Sequence, residues 1–232
     1  MKPKLLAAAA VTLAVALAGP AAAQAQTDTT TVAAGRRAEV RSDAIDALKA
    51  RGDYEIDRRL HTLADLTKRV QNAEHLTAAN RDALTQQLAA ETSGLTALRA
   101  KIDADTDLAT LRADLRDIVT QYRVYLLMDP KVHLVVAADR ALAAADAFDK
   151  VFAKLDGKLG VDQAKLADAK AKVADARKQA GGVPGSVIPL QPPDYPGNRP
   201  TLVSARDNLR TARQDLRAAR AEVQQLVDAA RA

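Results

Sequence analysis

The sequence predicts an all-α protein: an elongated antiparallel helical bundle or coiled-coil-like domain of about six helices, with no sheet. Three observations predict it. Alanine supplies 52 of the 232 residues, against six aromatics and no Trp. Strong helix formers therefore dominate, and the β-branched and aromatic residues that strands favour are scarce. Apolar residues recur at spacings of three and four over most of the chain, which is the spacing of a buried helical face. The last third repeats every seven residues, as packed helical seams do.

The N-terminus comes first. Lys2 and Lys4 precede an apolar run from Leu5 to Gly19 broken only by Thr12, and Pro20 leads into Ala21, Ala22, Ala23 and Ala25. A positive start, an apolar centre and the A-x-A site Ala23-Gln24-Ala25 predict a signal peptide over 1–25, cut before Gln26. The run is shorter than the ~20 residues a spanning helix needs. Export would leave a secreted or envelope-associated chain of net charge +3 in place of +5, because two lysines are lost. Residues 26–35, QTDTTTVAAG, are small and polar and read as a flexible leader. Residues 36–232 read as the helical bundle domain.

Within that domain, Ile56, Leu60, Leu63, Leu66 and Val70 mark a first helix from about Arg36 to His75, with Gly52 a point of kinking. Leu84, Leu88, Leu95, Leu98 and Ile102 mark the second. Leu108, Leu111, Leu115, Ile118, Tyr122 and Tyr125 mark a third, ending before Pro130, which disfavours helix at Asp129. Leu134, Ala138, Leu142, Ala145, Phe148, Phe152, Leu155 and Leu159 mark the fourth, closed by Gly157 or Gly160.

The fifth and sixth helices carry the heptads. Lys165-Leu-Ala-Asp-Ala-Lys-Ala171 is followed at once by Lys172-Val-Ala-Asp-Ala-Arg-Lys178. Leu202, Leu209, Leu216 and Val223 then take one seam position, and Ala205, Ala212 and Ala219 the other. Methyl side chains let backbones approach, so these two helices are expected to pair with each other or on one shared neighbour. Between them, 181–200 (GGVPGSVIPLQPPDYPGNRP) holds six of nine prolines and four of ten glycines. It reads as an ordered strap or loop, longer than a helix hairpin needs.

Chemistry is mostly excluded. Without cysteine there is no disulfide, thiolate metal site or Cys nucleophile. No GxSxG, HExxH, phosphate loop or EF-hand string is present. Five Glu, none followed by His three residues later, rule out a di-iron carboxylate bundle. Asp57, His61 and Asp65 share one helical face, which reads as solvated charge; a metal would need ligands from another helix. His133 reads as a capping or packing residue, and Tyr122 and Tyr125 as core with their hydroxyls near an edge. The chain reads as non-enzymatic, with no cofactor.

One patch points to binding. Arg206, Arg210, Arg213, Arg217 and Arg220 recur at four and three residues beside the Leu/Ala seam. Pairing with aspartates of a neighbouring helix is the structural explanation. The functional one is attachment to an anionic surface, a phosphate-bearing wall polymer or acidic lipid. Nucleic acid is disfavoured, because no aromatics interleave the stripe. An unknown protein or other envelope component is the alternative partner, and monomer and homodimer both stay open.

Tyr122-Arg-Val-Tyr125, Asp194-Tyr-Pro-Gly-Asn198 and the following LxxARxxLxxAR repeat together resemble secreted all-helical proteins of high-GC Gram-positive bacteria that have no established activity. The resemblance runs from about Arg41 to Leu226. It implies an exported bacterial helical protein and no catalytic residues.

Overall fold

The computed structural model of the chain describes residues 20–230, with side chains from 31 onward. Every regular element among them is helical: α1 (Pro20–Asn72), α2 (Ala78–Ala104), α3 (Leu108–Thr120), α4 (Asp129–Leu155), α5 (Gln163–Val187) and α6 (Arg199–Ala229). A π-helical turn, Val124–Met128, precedes α4, and a 3-10 turn, Pro192–Asp194, precedes α6. No described helix is long and apolar enough to cross a membrane. Of the expected export signal, residues 1–19 lie outside the described residues.

The chain divides into two compact units at Asp46. The described part of the first is the N-terminal stretch of α1, whose residues 31–43 are all exposed. Residues 26–35, expected as a flexible leader, are helical here. Pro20 fits the first turn, where its missing N–H costs nothing. Beyond it Thr27 to Val32 and Gly35 are weak helix formers, but adding a residue to an existing helix costs far less than nucleating one.

The second unit holds the core. In α1, Ile56, Leu63, Leu66 and Val70 are buried, each contributing ~1.5–3 kcal/mol by leaving water. Arg59 is buried beside them: its guanidinium bonds the Glu55 carboxylate at 2.6 Å and lies 5.2 Å from the Tyr125 ring centroid. Lys49 donates to the Asp103 carbonyl at 2.6 Å, and Arg99 meets Asp53 at 3.4 Å. Those pairs set α1 and α2 in opposite directions. Arg81 of α2 then closes the end of α1, donating to the carbonyls of Val70, Gln71 and Ala73. These are last-turn acceptors left without an intrahelical donor. Gly52 does not break the helix. A Cβ there would stand 2.6 Å from Leu115 Cδ2, so the glycine marks close approach of α3.

The third helix stops earlier than expected. α3 ends at Thr120, and Tyr122 and Tyr125 lie beyond it. Pro130 opens α4 instead of terminating its predecessor, because a first-turn proline needs no donor. The π-helical turn joins the two through Leu127 and Met128 N–H groups, which share the Arg123 carbonyl at 2.8 and 3.3 Å. It buries Val124, Leu127 and Met128. Tyr125 is 39% exposed, so the expectation that it is core fails; Arg58 and Arg59 stack on its ring.

Tyr122 instead lies over Gly94. A Cβ at residue 94 would stand 2.6 Å from both Cε1 and the hydroxyl of that ring. Gly94→Ala is therefore expected to destabilise by about 1 kcal/mol: overpacking costs ~1–3 kcal/mol, and the gain in helix propensity returns ~1. In a Tyr122→Leu background, urea denaturation should show the same substitution stabilising.

α5 and α6 run in opposite directions, since Lys165 meets Gln225 at 2.9 Å and Lys172 meets Glu222 at 2.7 Å. α4 and α5 do likewise: Arg177 bonds Asp146 and Asp149 at 2.5 and 2.6 Å, and Lys170 meets Asp156 at 3.2 Å. α4 and α6 therefore share a direction, and they also touch. The seam residues Leu166, Ala169, Val173 and Ala176 of α5 are buried, as are Leu202, Ala205, Leu209, Ala212, Ala219 and Val223 of α6. Phe148 and Phe152 stack beside them at 5.8 Å.

The strap expected over 181–200 is shorter. α5 continues to Val187 through Pro184. Val183, Pro184 and Val187 are all buried, and that burial overrides the local cost of proline and glycine. The link between α5 and α6 is only 188–198, and it holds the 3-10 turn and a cis peptide bond at Tyr195–Pro196.

Candidate functional site

The arginines expected on one helix converge with others. A groove of about 760 Å³ lies between α4 and α6. Arg206, Arg213 and Arg217 line it from α6, Arg140 and His133 from α4, and Arg69 from α1. Its floor is apolar, with Leu134, Ala137, Ala141, Leu209 and Leu216 among the lining residues, and no Asp or Glu lines it. At 100° per residue, Arg206, Arg213 and Arg217 fall within an arc of about 40°, while Arg210 and Arg220 stand about 40° to either side of Arg206. The two edge arginines do not line the groove. Arg210 pairs with Asp207 of its own helix at 3.1 Å.

Pairing with a neighbouring helix's aspartates does not account for the stripe. Ion pairs among the described residues engage Arg58, Arg59, Arg99, Arg177 and Arg210, but none of the five groove arginines. The nearby aspartates are already occupied. Asp146 and Asp149 are held by Arg177, and Asp156 by Lys170. At one end the groove passes Arg69 and His133 into a second depression bordered by Asp65 and Asp129. His133 is exposed there and lies 3.4 Å from Asp129. The basic surface is thus bounded by carboxylates on that side.

No protein-family model, curated protein or solved structure matches the chain. Its own geometry carries the functional reading.

The sequence missed Arg69 and Arg140 because convergence between helices leaves no trace in one helix's spacing. His133 and Arg140, seven residues apart on α4, were the available signal. The Asp57–His61–Asp65 face does not gather. Arg99 takes Asp57 and Asp65 takes His61, and no three metal-ligating side chains converge among the described residues.

A second polar centre lies in the interior. Lys131 of α4 is 1% exposed. Its ammonium donates to Gln87 Oε1 at 2.7 Å, the Leu190 carbonyl at 2.6 Å and the Ile188 carbonyl at 3.1 Å. Three donors meet three acceptors, so the amine is consumed in tying α2, α4 and the segment after α5 together. Burial pulls its pKa down to about 8. Glu91 lies nearby, pushed up to about 7 by burial against the pull of Lys131. Asp139, 2% exposed, makes a parallel link from α4 to α2, accepting from the Thr77 N–H at 2.8 Å and from Asn80 Nδ2 at 2.9 Å.

Proposed function

We propose that the chain is an exported, non-enzymatic interaction protein of the cell envelope, which docks an anionic envelope component in the arginine groove. In this reading α4, α5 and α6 act as an antiparallel bundle with a coiled-coil-like seam, which holds the groove walls in register. The observation that carries it is five arginines, drawn from three helices, around an apolar floor with no lining carboxylate. Exposed guanidinium groups without internal partners keep their hydration until an anion replaces it, and their planar forks suit phosphate and carboxylate oxygens. The bonds of Lys131 and Asp139 support a scaffold role, since they join α4 to α2 and to the segment after α5.

Cosedimentation with phosphate-bearing wall polymer and with acidic lipid vesicles tests this reading. Binding to either should fall steeply with salt, and Arg206→Gln/Arg213→Gln/Arg217→Gln should abolish it at physiological ionic strength. Unchanged retention of the triple variant would overturn the reading.

A further inference from the structure

The groove walls run side by side over 133–144 of α4 and 206–217 of α6. Eleven steps at 1.5 Å make each wall about 16 Å long. Along α6 the guanidinium-bearing residues are spaced by seven and four positions, about 10 Å and 6 Å apart in rise. One compact anion can occupy one such position. Satisfying all of them takes a ligand that carries charge at repeated intervals along its length.

The second wall narrows the chemistry. Arg140 and Arg69 face the groove from helices other than α6, so charge is offered from more than one side. In a polymer with phosphate in its main chain, the unesterified oxygens project to both sides of the chain. In a polycarboxylate, the charges hang on side groups. Guanidinium forks on two walls match the first arrangement. No Phe, Tyr or Trp lines the groove, so nucleobases would find no row of stacking platforms, only His133 at one end. Asp65 and Asp129 border the depression beyond Arg69 and His133, which stops a polyanion from extending past that end.

We infer that the groove binds a linear, base-free polymer with phosphate in its main chain, lying extended along α6 with successive charges on Arg206, Arg213 and Arg217 and with Arg140 and Arg69 gripping from the other walls. This rests on the anion-docking reading above and adds its ligand class.

The test is calorimetric titration of the full chain with orthophosphate, tripolyphosphate and longer inorganic polyphosphate. Affinity should climb by more than tenfold from orthophosphate to the long chain, and should level off once the polymer reaches about 16 Å, the wall length set by helix rise. With three to five contacts, log K against log salt should slope by about −2 to −3.5, taking the single-strand coefficient. Arg213→Gln should make that slope shallower by about 0.7. Equal affinity for orthophosphate and long polyphosphate would overturn the inference. So would equal binding of polyglutamate, or tighter binding of single-stranded DNA of matched charge; in both cases anion docking itself survives. Capture by acidic vesicles without any binding of polyphosphate would assign the groove to lipid. Failure of every anionic probe would overturn the docking reading together with the inference.

Discussion

Lys131→Ala is expected to lower the free energy of unfolding by about 3–5 kcal/mol, the combined cost of two acceptors left without a donor and of the cavity the stem leaves. The ammonium is 1% exposed and is the donor to Gln87 Oε1 and to the carbonyls of Ile188 and Leu190. The Ile188 carbonyl keeps a donor in Gln87 Nε2 at 3.0 Å. Leu190 and Gln87 Oε1 lose theirs, and each buried acceptor left unmade costs ~1–3 kcal/mol. The lost aliphatic stem adds a cavity. Lys131→Met keeps the stem and should cost less than Ala. Urea unfolding gives both values, and a loss under 1 kcal/mol for Lys131→Ala would show that the amine does not hold the segment after α5.

The same centre sets a pH dependence whose two limbs have opposite signs. Glu91 binds its proton more tightly in the folded chain, about 7 against an ordinary 4.5. Its contribution therefore falls as pH rises from about 4.5 to 7. Lys131 holds its proton less tightly when folded, about 8 against 10.5. Its contribution rises from about pH 8 to 10.5. The centre stabilises least between pH 7 and 8, where both groups are charged. Glu91→Gln should remove the acid limb and Lys131→Met the alkaline one, and in each variant the remaining limb should widen because the other group loses its counter-charge.

What the sequence could reveal depended on how local the deciding physics is. The seams of α5 and α6 were legible because burial follows a strict repeat. Leu166 and Val173, or Ala205, Ala212 and Ala219, return to one face every seven residues and are buried. The break between α3 and α4 was not. Tyr122 continues the apolar spacing of α3, but its place is set by Gly94, 28 positions earlier, where the absence of a side chain admits the ring. Pro184 and its flanking glycines read as loop because their local cost is plain. The compensation, burial of Val183, Pro184 and Val187, comes from packing in the folded chain. The groove was half visible. Spacing on α6 identified Arg206, Arg213 and Arg217, together with Arg210 and Arg220, which stand at the stripe's edges. Arg69 and Arg140 arrive through the fold.

That half supplied by the fold gives the sharpest separation between a groove and a merely basic surface. Arg140→Glu should weaken polyphosphate binding by about 10- to 150-fold, the range that corresponds to losing one charge-assisted hydrogen-bonding contact of ~1.5–3 kcal/mol. The reversed charge pushes the effect toward the upper end. Arg210→Glu and Arg220→Glu change the net charge by the same amount, but both sit outside the groove lining. Their effect should stay well below that of Arg140→Glu, because neither side chain lines the groove and an exposed charge that does not touch the ligand acts on it only through water and salt. Arg140 is exposed, and an exposed substitution of this kind shifts stability by only about ±0.5 kcal/mol, so lost binding cannot be traced to unfolding. Titration of the three variants at one salt concentration decides the matter. If Arg210→Glu weakens binding as much as Arg140→Glu does, the protein responds to its overall charge and the groove has no part in it. If only Arg140→Glu does, an anion lies between α4 and α6.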